Sequence, residues 1–176
     1  MANTWRATSQ GVAYASNKAM LDVFNASSSA RYIRVYRAYM FNNGTSAITG
    51  VLLNITVRRS STSASAGTTV TPVAHSSGYS ALDVNTTAGT GRTTTDGSLL
   101  RQLLYQNDEP AVTTLDMDAL LTLVPFAEIW NAGYGDTNVE PVLCRSGQNE
   151  GFVIRSPGAT AVGSADLEIE FTDAAS

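Results

Sequence analysis

The sequence predicts an all-β protein: an antiparallel two-sheet sandwich or jelly roll with one short helix and an extended N-terminal arm. Three observations lead there. Short apolar runs alternate with period two; in Ala165–Thr172, Ala165, Leu167, Ile169 and Phe171 are apolar and the residues between them polar. Clusters of Gly, Asn, Ser and Pro separate these runs at short intervals. Charged residues are 15% of the chain against 43% hydrophobic, below the roughly 25% charged usual for soluble domains. At 176 residues a single core is expected, with residues 1–17 as the arm and 18–176 as the sandwich.

Residues 1–17 have no period, yet they contain Trp5, Val12 and Tyr14. A free tail rarely keeps a tryptophan, so this arm is expected to dock, on its own sandwich or on a neighbour. Its removal would then leave the fold intact. Lys18–Asn25 is a first, weak strand, with Met20 and Phe24 opposed to Leu21 and Val23. Arg31–Phe41 is a strong one, with Ile33, Val35, Arg37 and Tyr39 on one side and Arg34, Tyr36, Ala38 and Met40 on the other. The turn signal Asn42–Thr45 joins it to Ile48–Arg59 as a hairpin, with Val51, Leu53, Ile55 and Val57 facing in.

Ser60–Gly67 reads as a loop of small residues, and Thr68–Ala74 as a strand that Pro72 confines to an edge or end. From His75 to Gly97 the apolar signal nearly vanishes, which predicts a long, exposed Thr/Gly-rich excursion carrying Tyr79 and Arg92. Ser98–Gln106 (SLLRQLLYQ) fits either a helix face or a strand covered on both sides. Leu115–Val124 is read as a strand because the neighbouring apolar runs are also period two. Pro125 ends it, and Phe126, Ala127, Ile129 and Trp130 form about one or two helical turns, a plug over the end of the sandwich. Gly133 and Gly135 stop the plug and leave Tyr134 exposed between them. Val139–Arg145, Gly151–Arg155 and Ala165–Thr172 complete eight or nine strands, the last with an acidic outer face that discourages edge pairing.

Composition also excludes functions. The formal net charge is −4, from 11 basic and 15 acidic residues, which leaves no electrostatic footprint for nucleic acid. Arg31, Arg34 and Arg37 read as a solvated or subunit-facing strand side. His75 and Cys144 are the only histidine and cysteine, so a zinc site, a Cys–His nucleophile and an intrachain disulfide are all rejected. Cys144 is expected to be a buried small hydrophobe. Calcium, which accepts carboxylate and backbone oxygens, is not excluded, but Asp108, Glu109, Asp116, Asp118 and Asp136 lack the spacing of a calcium loop and read as solvated carboxylates. Glycosidase carboxylates drawn from Asp116, Asp118, Glu128 and Asp136 would lack supporting aromatic platforms. The run TTAGTGRTTTDG lacks the Lys-Ser/Thr end and the strand–helix setting of a phosphate loop. No cofactor is expected. The N-terminus has no signal-peptide pattern, and no apolar run approaches the ~20 residues needed to span a bilayer, so synthesis in the cytoplasm is expected. The sequons at Asn25, Asn43, Asn54 and Asn85 are compositional.

Three segments, Tyr32–Arg59, Val124–Cys144 and Gly151–Phe171, together resemble the small all-β virion proteins of tailed bacteriophages, in particular head decoration (cement) proteins. The resemblance covers roughly half of the chain and rests on pattern, with no diagnostic short motif. It implies a jelly-roll-like fold, a homotrimer on the capsid surface, contact with the major capsid protein and no catalysis. The partner-binding residues expected on this reading are Trp5, Val12, Tyr14, Tyr79, Arg92 and Tyr134. The rival expectation is a carbohydrate-binding or receptor-binding module of a tail fibre, using Tyr134, Trp130 and Asp136.

Overall fold

The computed structural model describes residues 2–14, 18–42, 52–62, 66–106, 126–132, 140–156 and 164–175. Twelve strands occur among them: β1 (Asn3–Ala13), β2 (Ala19–Asn25), β3 (Arg31–Asn42), β4 (Leu52–Thr62), β5 (Thr68–Val70), β6 (Val73–Ala74), β7 (Thr86–Thr90), β8 (Thr95–Gln106), β9 (Phe126–Asn131), β10 (Val142–Cys144), β11 (Glu150–Arg155) and β12 (Ser164–Ala175). They form two six-stranded antiparallel sheets. The first has the order β10-β3-β12-β1-β6, with β9 also on β3, and the second β5-β7-β2-β11-β4-β8. The all-β, two-sheet expectation is met.

The core lies between the sheets. One side supplies Trp5, Ala7, Ile33, Val35, Ala38, Met40, Ile129 and the predicted row Ala165, Leu167, Ile169 and Phe171. The other supplies Leu21, Val23, Ile55, Val57, Ala88, Phe152 and Ile154. Within each sheet a row shares one face because antiparallel partners do: in the second sheet Leu21 opposes Ile154, which opposes Val57.

Several expectations are corrected. The N-terminal segment docks on its own sandwich, one of the two expected arrangements, but as a strand of the first sheet and not as an appended arm: β1 is hydrogen-bonded along β12 from Asn3 to Ala13 and meets β6 at Trp5 and Arg6. A bulge between Ser9 and Val12, with Gly11 at φ 62, interrupts its alternation, which is why no period is visible in the sequence. Phe126–Asn131 is strand β9 on β3, not a helical plug: Phe126, Ala127 and Glu128 oppose Phe41, Met40 and Tyr39, and Ile129 is the extra residue of a bulge before Trp130 and Asn131 oppose Ala38 and Arg37. Leu115–Pro125 lies outside the described residues.

Strands β3 and β4 are not a hairpin, since they lie in different sheets. Nine residues, 43–51, separate them in the chain, too many for the tight turn that Asn-Gly suggested. Along β3 the pairing with β12 slips between Val35 and Arg37, so Ile33, Val35, Ala38 and Met40 all turn inward and Arg37 and Tyr39 outward. Thr86–Thr90 is not part of an exposed excursion. It forms β7, between β5 and β2, and its Ala88 and Gly89 are buried. Small side chains fill that place, so the apolar signal is absent. Pro72 separates β5 from β6, and each is an edge of a different sheet. Strand β12 is interior, between β3 and β1, so its acidic residues guard no edge.

Candidate interaction surfaces

Three arrangements of polar and exposed side chains occur among the described residues, and the expected partner-binding residues are divided among them and the core. Trp5 and Tyr14 are core residues, each 7% exposed. Trp5 donates its Nε1–H to Asp173 Oδ1 at 2.9 Å, and Asp173 is fully buried. Val12 is half-buried against the core. Tyr79 is half-buried in a turn whose backbone closes from Tyr79 N to Ser76 O. Tyr134 lies outside the described residues.

Arg92 is buried and belongs to a clamp over the outer face of the second sheet. Its Nη1 donates to Asp22 Oδ1 and Thr87 Oγ1, both at 3.2 Å, and its Nη2 donates to the Ala88 carbonyl at 2.8 Å. The guanidinium occupies the space that a Cβ on Gly89 would need. Backbone bonds from Gly91 N to Ala19 O and from Ala19 N to Arg92 O tie this segment to β2. A second arginine continues the clamp: Arg155 donates from Nη2 to the Thr94 carbonyl and hydroxyl, and its Nε lies 2.9 Å from Asp96 Oδ1. Burial pushes the Asp22 carboxyl up to about 6 despite the opposing pull of Arg92, the Gly89 amide and Arg155. This site closes on itself, with its charges paired inward. Its sequence signal is Asp22, a lone carboxylate inside the apolar run Ala19–Phe24, whose seven-residue strand is buried throughout.

The outer face of the first sheet carries a charged ladder. Arg6 Nε lies 3.1 Å from Glu168 Oε1, and Glu170 faces Arg6, Arg37 and His75 at 3.5, 3.8 and 3.4 Å. Burial raises the Glu168 carboxyl, against the pull of Arg6 and with a push from Glu170. Beside the ladder, a concavity of about 410 Å³ is lined by Arg6, Tyr39, Phe41, Glu128 and Glu168. The Tyr39 and Phe41 rings are 6.2 Å apart. Glu128 Oε2 accepts a 2.9 Å bond from Asn131 Nδ2. Trp130 packs edge-on to Phe152 with centroids 6.1 Å apart, against the core as the plug reading expects and not as the sugar platform of the rival one.

The third feature is β8, a twelve-residue strand whose only hydrogen-bonded sheet partner among the described residues is β4. It exposes Leu99 and Leu104, at 47% and 71%. Cys144, by contrast, is fully buried, and desolvation pushes its thiol up to about 12. No group of three or more His, Cys, Asp or Glu able to hold a metal occurs among the described residues, nor any helix long and apolar enough to cross a membrane. Comparison with protein-family models, curated proteins and solved structures finds no match.

Proposed function

We propose that this chain is a structural virion protein, a decoration (cement) protein that binds the outside of a phage head as a homo-oligomer and stabilises it. The observation that carries the reading is the edge of β8 that no strand among the described residues pairs, with Leu99 and Leu104 exposed, beside charged groups that are otherwise paired into ladders and clamps. An exposed apolar strand edge is a surface for joining protein to protein. Repeated changes of sheet along the chain, as from β1 to β2 to β3 to β4, suit the jelly-roll form of the sandwich. The experiment is co-sedimentation with empty heads of the virus that encodes the chain, followed by melting of the decorated heads. Saturable binding and a raised melting temperature are expected; heads that pellet without the protein overturn the proposal.

A second reading, glycan or receptor binding at a fibre tip, has one observation in its favour: the aromatic pair Tyr39 and Phe41 beside Glu128 and Glu168. An apolar ring face flanked by hydrogen-bond acceptors suits a sugar ring. On that reading a glycan array gives specific binding that Tyr39→Ala removes by about tenfold or more, on the order of 1.4 kcal/mol. An array without a specific hit eliminates it.

A further inference from the structure

Strand β8 has few of the features that keep sheet edges from pairing. It is long, contains no proline, and between Ser98 and Gln106 carries one charge, Arg101. Its other charge, Asp96, is engaged by Arg155 and Arg58. Leu99, Arg101, Gln102 and Leu104 are all exposed.

The register with β4 decides what fits this edge. Leu104 opposes Asn54, Leu103 opposes Ile55, Gln102 opposes Thr56 and Arg101 opposes Val57. The pairing then slips by one residue, so Leu99 opposes Arg58 and Leu100 is left over as a bulge. Ile55 and Val57 face the core, which puts Leu103 on the inner face. Leu104 and Gln102 are therefore on the outer face, and the bulge brings Leu99 to that face too. In a regular strand, residues 99 and 104 would point to opposite faces. With the bulge, the outer face reads Leu99, Gln102, Leu104, symmetric about Gln102.

We infer that β8 pairs antiparallel with β8 of a second copy of this chain, about a two-fold axis normal to the sheet at Gln102. Such an axis keeps each residue on its own face, as an isologous contact requires. It sets Leu104 against Leu99 of the second copy, Leu103 against the bulge at Leu100 and Arg101, and Gln102 against Gln102. Backbone hydrogen bonds join the two six-stranded sheets into one. The leucine pairs set the register, and each Gln102 amide both donates and accepts. This goes beyond the virion reading and needs no phage head. It also differs from the trimer that the resemblance implies, since a two-fold edge joint alone does not close a three-membered ring.

The test uses the full chain in size-exclusion chromatography with light scattering. A dimer mass is expected, and Leu99→Lys/Leu104→Lys is expected to run as a monomer with an unchanged thermal melt. Oxidative cross-linking then reads the register. A mixture of Leu99→Cys and Leu104→Cys chains should form a disulfide dimer, whereas either variant alone should form far less, because neither position opposes itself. Buried Cys144 does not compete. A monomeric wild-type chain, an oligomer indifferent to the lysine pair, or equal cross-linking in the single-variant samples overturns the inference. A monomeric chain would also remove the homo-oligomer of the proposed function, whereas sedimentation with empty heads is read separately. The failure of one proposal is therefore distinguishable from the failure of the other.

Discussion

Replacement of Trp5 by alanine is expected to destabilise the fold by about 3–5 kcal/mol, and deletion of residues 1–14 to leave a chain that does not fold. The indole packs in the core opposite Phe171 and Ala74. Its loss opens a cavity between strands that cannot collapse independently, because β1 is bonded on both sides at that point. It also removes the donor to Asp173, a fully buried carboxylate whose other oxygen lies 3.9 Å from Arg31. Trp5→Phe separates the two effects. It keeps most of the packing and loses the bond, a penalty of about 1–3 kcal/mol. Denaturant unfolding followed by circular dichroism measures both. A truncated chain that melts like the full one would restore a detachable arm and remove β1 from the core argument.

Arg92→Met is expected to cost a comparable amount, about 3–5 kcal/mol near neutral pH, because it leaves the Asp22 carboxylate buried without its countercharge. The pH dependence has a definite sign. The folded Asp22 titrates at about 6 against an ordinary 3.8, so between those values the native state holds a proton that the unfolded chain has released. Its favourable contribution is complete below about 3.8 and is lost as pH rises through about 6. Acidification from about pH 8 to about pH 5 therefore relieves the strain of burying this charge. Removal of Arg92 pushes the carboxyl further up, so the deficit of Arg92→Met should shrink over the same range. Asp22→Asn combined with Arg92→Met should abolish that recovery. Unfolding midpoints for the three chains at the two pH values provide the measurement, and a deficit for Arg92→Met that does not change with pH would show that Asp22 is not the group responsible.

Much of this architecture is legible before any coordinates. The alternation in Ala165–Thr172 is the inner and outer face of β12, residue for residue. Pro72 marks a strand end, and Cys144 is buried as its apolar neighbours suggest. What fails is local periodicity wherever a bulge intervenes: in β1 near Gly11, in β3 at Tyr36 and in β8 at Leu100. One extra residue reverses the faces beyond it, so a two-residue repeat read across the bulge places the wrong side chains inside. Arg92 was expected at a partner surface because its segment lacks apolar residues. It is buried for the same reason, since the glycine at 89 leaves room that its guanidinium fills.

The sequence by itself determined that this chain is an antiparallel β-protein with one core and a buried cysteine, because side-chain alternation and turn chemistry act over a few residues and need no partner to be read. Only the tertiary structure decided which strands share a sheet, which face each bulge redirects, and which charges are paired inside. Those depend on contacts between residues far apart in the chain, such as Trp5 with Asp173 and Arg92 with Asp22, and no local pattern encodes them.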